Sequence, residues 1–414
     1  MNENLNKSAL FNGSCFALIT TAFTFSIRAG ILPLLGAEFG LTAEQLGFIN
    51  SMWFLGFPIS MIIGGLVYHS VGPKNIMTVA FVAHTVGIVM TIYAGGYTTL
   101  LISTLLIGIG NGCTEAACNP MIADMYSGVK MNKMLNRFHM WFPGGIVLGA
   151  LISKFMTDFG FGWEAQMWVT MVPTVIYAVL FFGKTFPTPQ VEGATSLGQN
   201  FKAMLTPLYI FLFVCMALTA ITEFGPNQWV SIILGNSGAD AMIILALTSG
   251  LMAVARFFAG PVVGTLGQTG VLLGGAISAA IGIYLFSIVT GPMAYVATIF
   301  FALGVAYFWP VMVGAVAQRV PLSSALGMSV IGGVGMFSTS IFQPIIGSWI
   351  DDARIENMAQ GLTGTALELA AGQDTLEKMI AFPAILIVLF TILFFWQKNP
   401  KTTQKVPQAV SSSH

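Results

Sequence analysis

The sequence is short of charge. Only 8% of its 414 residues are Asp, Glu, Lys or Arg, against about 25% in an ordinary soluble chain, while 56% are hydrophobic. A water-facing surface needs about 25–35% charged residues, so soluble domains are excluded and most of the surface must face lipid. The 16 basic and 16 acidic residues cancel, and no basic block is interleaved with aromatics. Nucleic acid is therefore not a partner. Cysteine is scarce: Cys15, Cys113, Cys118 and Cys215 sit in apolar runs without CxxC spacing, so they read as small core residues rather than a zinc, redox or disulfide framework. His84 and His139 have no companion at ligand spacing, and no metal is expected. Nucleophile-elbow, P-loop, zinc-hydrolase and dinucleotide fingerprints are lacking, so enzymatic or ATP-driven chemistry has no machinery and no cofactor is implied. A cleavable leader is not expected either, because the first apolar stretch runs on to about residue 35 without a small-residue cleavage site.

What is present is a series of apolar runs. A hydrocarbon core of about 30 Å needs about 20 helical residues, and twelve such runs occur, at 11–36, 44–68, 76–94, 99–125, 138–158, 165–184, 206–233, 240–266, 270–290, 293–317, 324–350 and 376–397. The expectation is an all-α membrane protein of twelve transmembrane helices in two pseudo-symmetric six-helix bundles. Residues 1–184 form the first bundle, 185–205 a cytoplasmic linker, 206–397 the second bundle and 398–414 a cytoplasmic tail. The glycines of GIGNG at 108–112 and IGGVG at 331–335 suit close helix packing in lipid. The loop at 351–375, containing TALELAAG, is expected to carry a short surface helix.

Basic residues set the orientation. Lys7, Lys74, Lys130, Lys133, Arg137, Lys184, Lys202, Arg319, Lys398, Lys401 and Lys405 fall on one side, and Lys154, Arg354 and Lys378 on the other. The richer side is cytoplasmic by the positive-inside rule, which puts both termini inside the cell and the protein in the plasma (inner) membrane. A weak internal repeat supports the two halves, with Gly30 laid on Gly225 and Arg28 on Glu223. Such repeats, with polar positions at corresponding depths, mark transporters.

Four charges fall near mid-span: Arg28, Glu115, Glu223 and Arg256. Each costs about 2.5–3.5 kcal/mol at the bilayer centre, so they are expected to face the interior. Polar residues recur one turn apart at Thr20, Thr24 and Arg28, at Asn111, Glu115 and Asn119, and at Thr219, Glu223 and Asn227. Side chains lean toward their helix N-terminus, so Arg28 and Glu115 lean toward each other, as do Glu223 and Arg256. One or both charge pairs are expected to form in the unloaded cavity and to be broken or reprotonated as cargo or a coupling ion binds, with Glu115 and Glu223 as the coupling acids. Trp53, Trp141, Trp229, Tyr307 and Trp309 offer flat apolar contacts to a ring, with Gln228 and Gln343 as hydrogen-bonding partners. The candidate substrate-binding set is Thr24, Arg28, Asn111, Glu115, Asn119, Glu223, Asn227, Gln228, Trp229, Tyr307, Trp309 and Gln343.

Two passages carry a family likeness. GLVYHSVGPK at 65–74 resembles the GxLaDrxGrk loop of the major facilitator superfamily, with His69 and Ser70 at the usual Asp and Arg positions. GIGNGCTEAACNPMIADMY at 108–126, followed by MLNRFHMWFPGGIVLGALI at 134–152, is similar to the fucose/galactose/glucose proton symporter family. That resemblance implies sugar binding and proton coupling at Glu115, with Asn119 beside it, and matches the family's helix 7 Glu and Trp to Glu223 and Trp229. Fucose-type members place an acid in helix 1, where this chain has Arg28.

The leading expectation is a secondary active transporter moving a sugar or sugar derivative by alternating access, coupled to a proton or sodium ion. In a close variant, Arg28 binds a sugar acid or another organic anion. From a different class, a membrane sensor would bind sugar without moving it. The partners are then a small-molecule substrate, the coupling ion and membrane lipid, and a monomer suffices.

Overall fold

The computed structural model describes residues 5–189 and 197–397. The expected tail, and with it Lys398, Lys401 and Lys405, lies outside them, as does part of the expected linker. The described chain is helical almost throughout. The membrane-length helices are α1 Lys7–Phe39, α2 Ala43–Val71, α3 Pro73–Ile92, α4 Tyr97–Met125, α5 Lys133–Asp158, α6 Trp163–Phe181, α7 Pro207–Gln228, α8 Ala241–Phe257, α9 Ala259–Ile288, α10 Met293–Arg319, α11 Ser324–Ala359 and α12 Gly364–Trp396. All but α8 are long and apolar enough by themselves to cross a membrane. The path of α8 continues to residue 266 beyond Phe258 and stops at Gly267, whose φ of 71° and ψ of 162° interrupt the helix. Such a φ suits glycine alone. The turn between the eighth and ninth spans thus falls where the apolar pattern placed it.

Local chemistry fixes the helix starts. Thr42 and Gln45 form a capping box before α2, Pro73 and Pro207 occupy the first turns of α3 and α7, and the Asp240 carboxylate accepts from the Met242 and Ile243 N–H groups at the start of α8. α10 breaks at Ala306 and Tyr307, and α12 at Ile380.

The structure adds detail to two expectations at the connections. The segment 351–375 is not an open loop: the expected helix over TALELAAG is present at Gly364–Met379, docked on the end of α11 as the first part of α12. α11 runs to Ala359 and α12 begins at Gly364, because Arg354 bonds Glu368 at 2.6 Å and the Asn357 amide bonds Asp374 at 2.6 Å across the two helices. Within the expected linker, Leu197–Met204 is a short helix whose Ala203 and Met204 are buried in the core.

The interior is close-packed. A Cβ on Gly108 or Gly112 would run into the backbone of α2 at Trp53 or Phe57, so these glycines let α2 and α4 touch main chain to main chain. Large apolar side chains such as Ile63, Leu66, Val179 and Phe395 are exposed on the perimeter, as a lipid-facing surface requires, while α1 is buried along most of its length.

We call the face where α1 begins and α12 ends the near face, and the opposite one the far face. A set of hydrogen bonds and ion pairs joins α1–α6 to α7–α12 in the far half. The Ala43 and Glu44 N–H groups at the start of α2 donate to the Asp351 carboxylate at 3.0 and 2.9 Å, and Lys154 pairs with Asp240 at 3.1 Å. Below this clamp, α2 and α11 touch where Gly47 meets Gln343 and Pro344. The two bundles are shut together toward the far face.

Candidate functional site

Beneath the far clamp, α1 carries Thr24 and Arg28 at the seam between the bundles. Thr24 is the centre of a buried polar chain. Its hydroxyl donates to the Thr21 carbonyl at 2.9 Å, so it accepts from Trp53 Nε1 at 3.1 Å and from Asn111 Nδ2 at 3.4 Å. That leaves Asn111 Oδ1 facing His84 Nε2 at 2.9 Å, which must donate, and His84 Nδ1 accepts from the Tyr177 hydroxyl at 3.0 Å. Every group is satisfied with a neutral imidazole of one tautomer. The chain links α6, α3, α4, α1 and α2, and holds the Trp53 indole where the Arg28 guanidinium lies 5.4 Å from its ring centroid.

Arg28 is buried at 5% exposure. Of its five N–H donors, Nη2 reaches Gln228 Oε1 at 3.3 Å, while Nε and Nη1 have no partner. No described carboxylate lies within ion-pair distance of it. The hollow that borders it, lined by Thr24, Ile31, Ile49, Thr104 and Met167 among others, measures about 10 Å³, close to the least that admits a single water.

The expected Arg28–Glu115 pair is not formed. The Thr24–Asn111 contact sets the register of α1 against α4. Arg28 lies one turn beyond it toward the far face and Glu115 one turn toward the near face, an offset of about 12 Å along the axes. Side-chain lean does not close that distance. Glu115 is instead half-buried and accepts a 2.5 Å hydrogen bond from Asn119 Nδ2, a residue of its own helix.

The second half differs. The buried carboxylate of Glu223 on α7 lies 4.0 Å from Arg256 Nη2, and Arg256 Nε donates to the Ala306 carbonyl at 2.8 Å, at the break in α10. Next to it, the Tyr307 hydroxyl donates to the Ala255 carbonyl at 2.6 Å. Trp309, half-buried, lies against Gly332 and Gly335 of α11 and edge-on to Phe224. Asn227 is buried on α7.

Several buried polar atoms here have no partner: Gln228 Nε2, Trp229 Nε1, both side-chain polar atoms of Gln343 and both of Asn50. Orphans of this kind cost about 1–3 kcal/mol each, and they cluster on α2, α7 and α11 around the seam. Reading the sequence did not single out Asn50 or Tyr177, and treated His84 as isolated. An Asn inside an apolar α2 was a usable signal for the first. His84 finds its partners only across helices, 27 and 93 residues away. No group of three metal-ligating side chains occurs among the described residues.

At the near face, Tyr68 of the GLVYHSVGPK segment donates to Asp124 Oδ2 at 2.7 Å, tying α2 to α4, while His69 and Ser70 are exposed.

The chain matches the family model described as Major Facilitator Superfamily over residues 14–341. It is 26% identical over 177 residues to a hexuronate transporter of Bacillus subtilis, covering 41% of this chain and 42% of that protein. It is 23% identical over 180 residues to an arabinose-proton symporter of Escherichia coli, covering 44% and 37%. Each match thus spans under half of the relative's length. Among solved structures, the nucleoside transporter NupG superposes with a TM-score of 0.77 at 12% identity, covering 93% of this chain and all of that one. A D-xylose-proton symporter superposes with 0.76 at 14% identity, covering 96% and 98%. The twelve-helix architecture, the seam between its halves and the match across most of the length agree: the chain belongs to the Major Facilitator Superfamily.

Proposed function

We propose that this protein is a secondary active transporter that carries a sugar acid, or a closely related organic anion, across the inner membrane by alternating access, with both termini in the cytoplasm. One observation carries the choice of cargo. Arg28 is a buried cation at the seam with unpartnered Nε and Nη1 and no carboxylate in reach. A buried unpaired charge is costly, and a carboxylate on the cargo would receive the planar fork of the guanidinium. Glu115, which would neutralise Arg28 and so favour a neutral sugar, bonds Asn119 instead, which leaves the likeness to the fucose/galactose/glucose proton symporters as the sequence's support for a neutral cargo. The hexuronate transporter among the relatives agrees with this choice.

The rest of the expected set has roles consistent with that reading. Gln228 and Gln343, with amide atoms unpartnered, suit sugar hydroxyls, and Trp229, Tyr307 and Trp309 supply aromatic surface beside Asn227. Thr24 and Asn111 position Trp53 under Arg28. Glu223, paired with Arg256, and Glu115, paired with Asn119, are the coupling acids, since loss of charge on either changes what its partner bonds. The far clamp keeps Arg28 closed from outside, so cargo meets it only when the bundles rock apart.

A neutral sugar is the second reading, favoured by the unpartnered amides of Gln343 and Gln228 and by the arabinose-proton symporter among the relatives. A thermal-shift series on purified protein with uronates, the matching neutral hexoses and sodium at two pH values separates them. Stabilisation by the uronate alone supports the anion. Equal stabilisation by its neutral counterpart overturns it.

A further inference from the structure

We infer that the groove between α1, α5 and α6 binds one anionic phospholipid, with an acyl chain along α1 and the phosphate at Arg137. Near the far face α5 and α6 are pinned together, since Ser153 donates to Gln166 at 2.6 Å and Gln166 donates to Thr157 at 3.0 Å. Toward the near face a groove of about 480 Å³ opens between them, with α1 as its floor from Phe11 to Phe23. Its walls include Leu148, 46% exposed, and Val172, 56% exposed, so it opens sideways to lipid and not into the seam. The floor is about 18 Å long at 1.5 Å per residue, against about 15 Å for one leaflet of a 30 Å core. One acyl chain fits that length.

The near-face end of the groove is polar, with Asn12, Arg137 and Trp141. Arg137 is exposed, and no hydrogen bond or ion pair engages it among the described residues. It closes the helix Gly128–His139, whose sequence GVKMNKMLNRFH has no acid. Lys130, Lys133 and Arg137 lie on one face of that helix. Phe138 is buried on the other side, and Met134 and Leu135 pack beside it on the near-half core. The helix therefore docks by its apolar side and turns its cations to the headgroup layer. Trp141 sits at the depth that aromatic residues favour at membrane interfaces. The uncompensated cations select a lipid of net negative charge over a zwitterionic one of equal chain length, whose own ammonium they repel.

Native mass spectrometry of the full chain in detergent, titrated with dioleoyl phosphatidylglycerol or dioleoyl phosphatidylcholine, tests this. The expected result is one retained phosphatidylglycerol per protein, favoured about fivefold or more over phosphatidylcholine. Arg137→Gln should lower that retention about fivefold, and Arg137→Lys should keep most of it. Leu148→Trp, which fills the groove from its exposed wall, should abolish the retained lipid while Arg137 stays in place. Equal retention of the two lipids by the wild type overturns the site, as does unchanged phosphatidylglycerol retention in either Arg137→Gln or Leu148→Trp.

Discussion

The two halves of the molecule handle buried charge differently. In the second half, Glu223 and Arg256 lie 4.0 Å apart and the arginine has a backbone carbonyl as well. In the first half, Arg28 and Glu115 stand two turns apart and do not meet. Arg28 is left with one hydrogen bond, contributed by Gln228 of the other half. One half compensates itself, and the other holds a cation whose partner must come from elsewhere. In the function proposed above, the contrast separates two tasks, with ion coupling at the acids, Glu223 beside Arg256 among them, and cargo recognition at Arg28.

The sharpest way to break this contrast is to remove the open charge. Arg28→Gln should lower affinity for an anionic cargo by about a hundredfold or more, the scale of truncating one partner of a buried charge pair. Arg28→Lys should recover only part of it, because an ammonium presents no planar fork. Isothermal titration with a uronate checks both. Glu223→Gln should act on the other task. Concentrative uptake into proteoliposomes should fall about tenfold, while counterflow, which needs no driving gradient, persists.

A smaller effect is expected from the polar chain beneath Arg28. His84→Leu leaves Asn111 Oδ1 and the Tyr177 hydroxyl without their partner, at a cost of about 1–3 kcal/mol for each orphan. Melting temperature should drop and KM should rise, and His84→Gln, which keeps a donor, should restore part of both. The smallest change is expected at the far clamp. Lys154→Ala removes two pairs near the surface, the clamp pair with Asp240 and one with Asp158 of its own helix, each worth about 0–1 kcal/mol, and should move stability little in a thermal melt. Loss of more than that would show the clamp to be a main support of the closed state.

The periodic information in the chain was legible. Apolar runs gave the helices, and the glycines at 108–112 marked a close helix approach whose partner, α2, only the structure supplies. Gly267 fell in the gap left between two spans. Contacts that depend on the register between helices were not legible. Lean along an axis can be read from a sequence, but the axial offset of α1 and α4 depends on Thr24 meeting Asn111, a contact 87 residues apart. For the same reason the Glu223–Arg256 pairing was legible and the Arg28–Glu115 pairing was not: identical reasoning about lean met two different registers. The gap between apolar runs at 351–375 reads as a loop with a short helix, whereas Arg354 with Glu368 and Asn357 with Asp374 hold that helix against the end of α11.

The most direct measurement is competition in counterflow, comparing a uronate with its neutral hexose of identical stereochemistry on reconstituted wild type and Arg28→Gln. The account predicts that the uronate competes at least about tenfold better on the wild type, and that the preference disappears in the variant. Equal competition by the two sugars on the wild type, or a uronate preference that survives in Arg28→Gln, would contradict it.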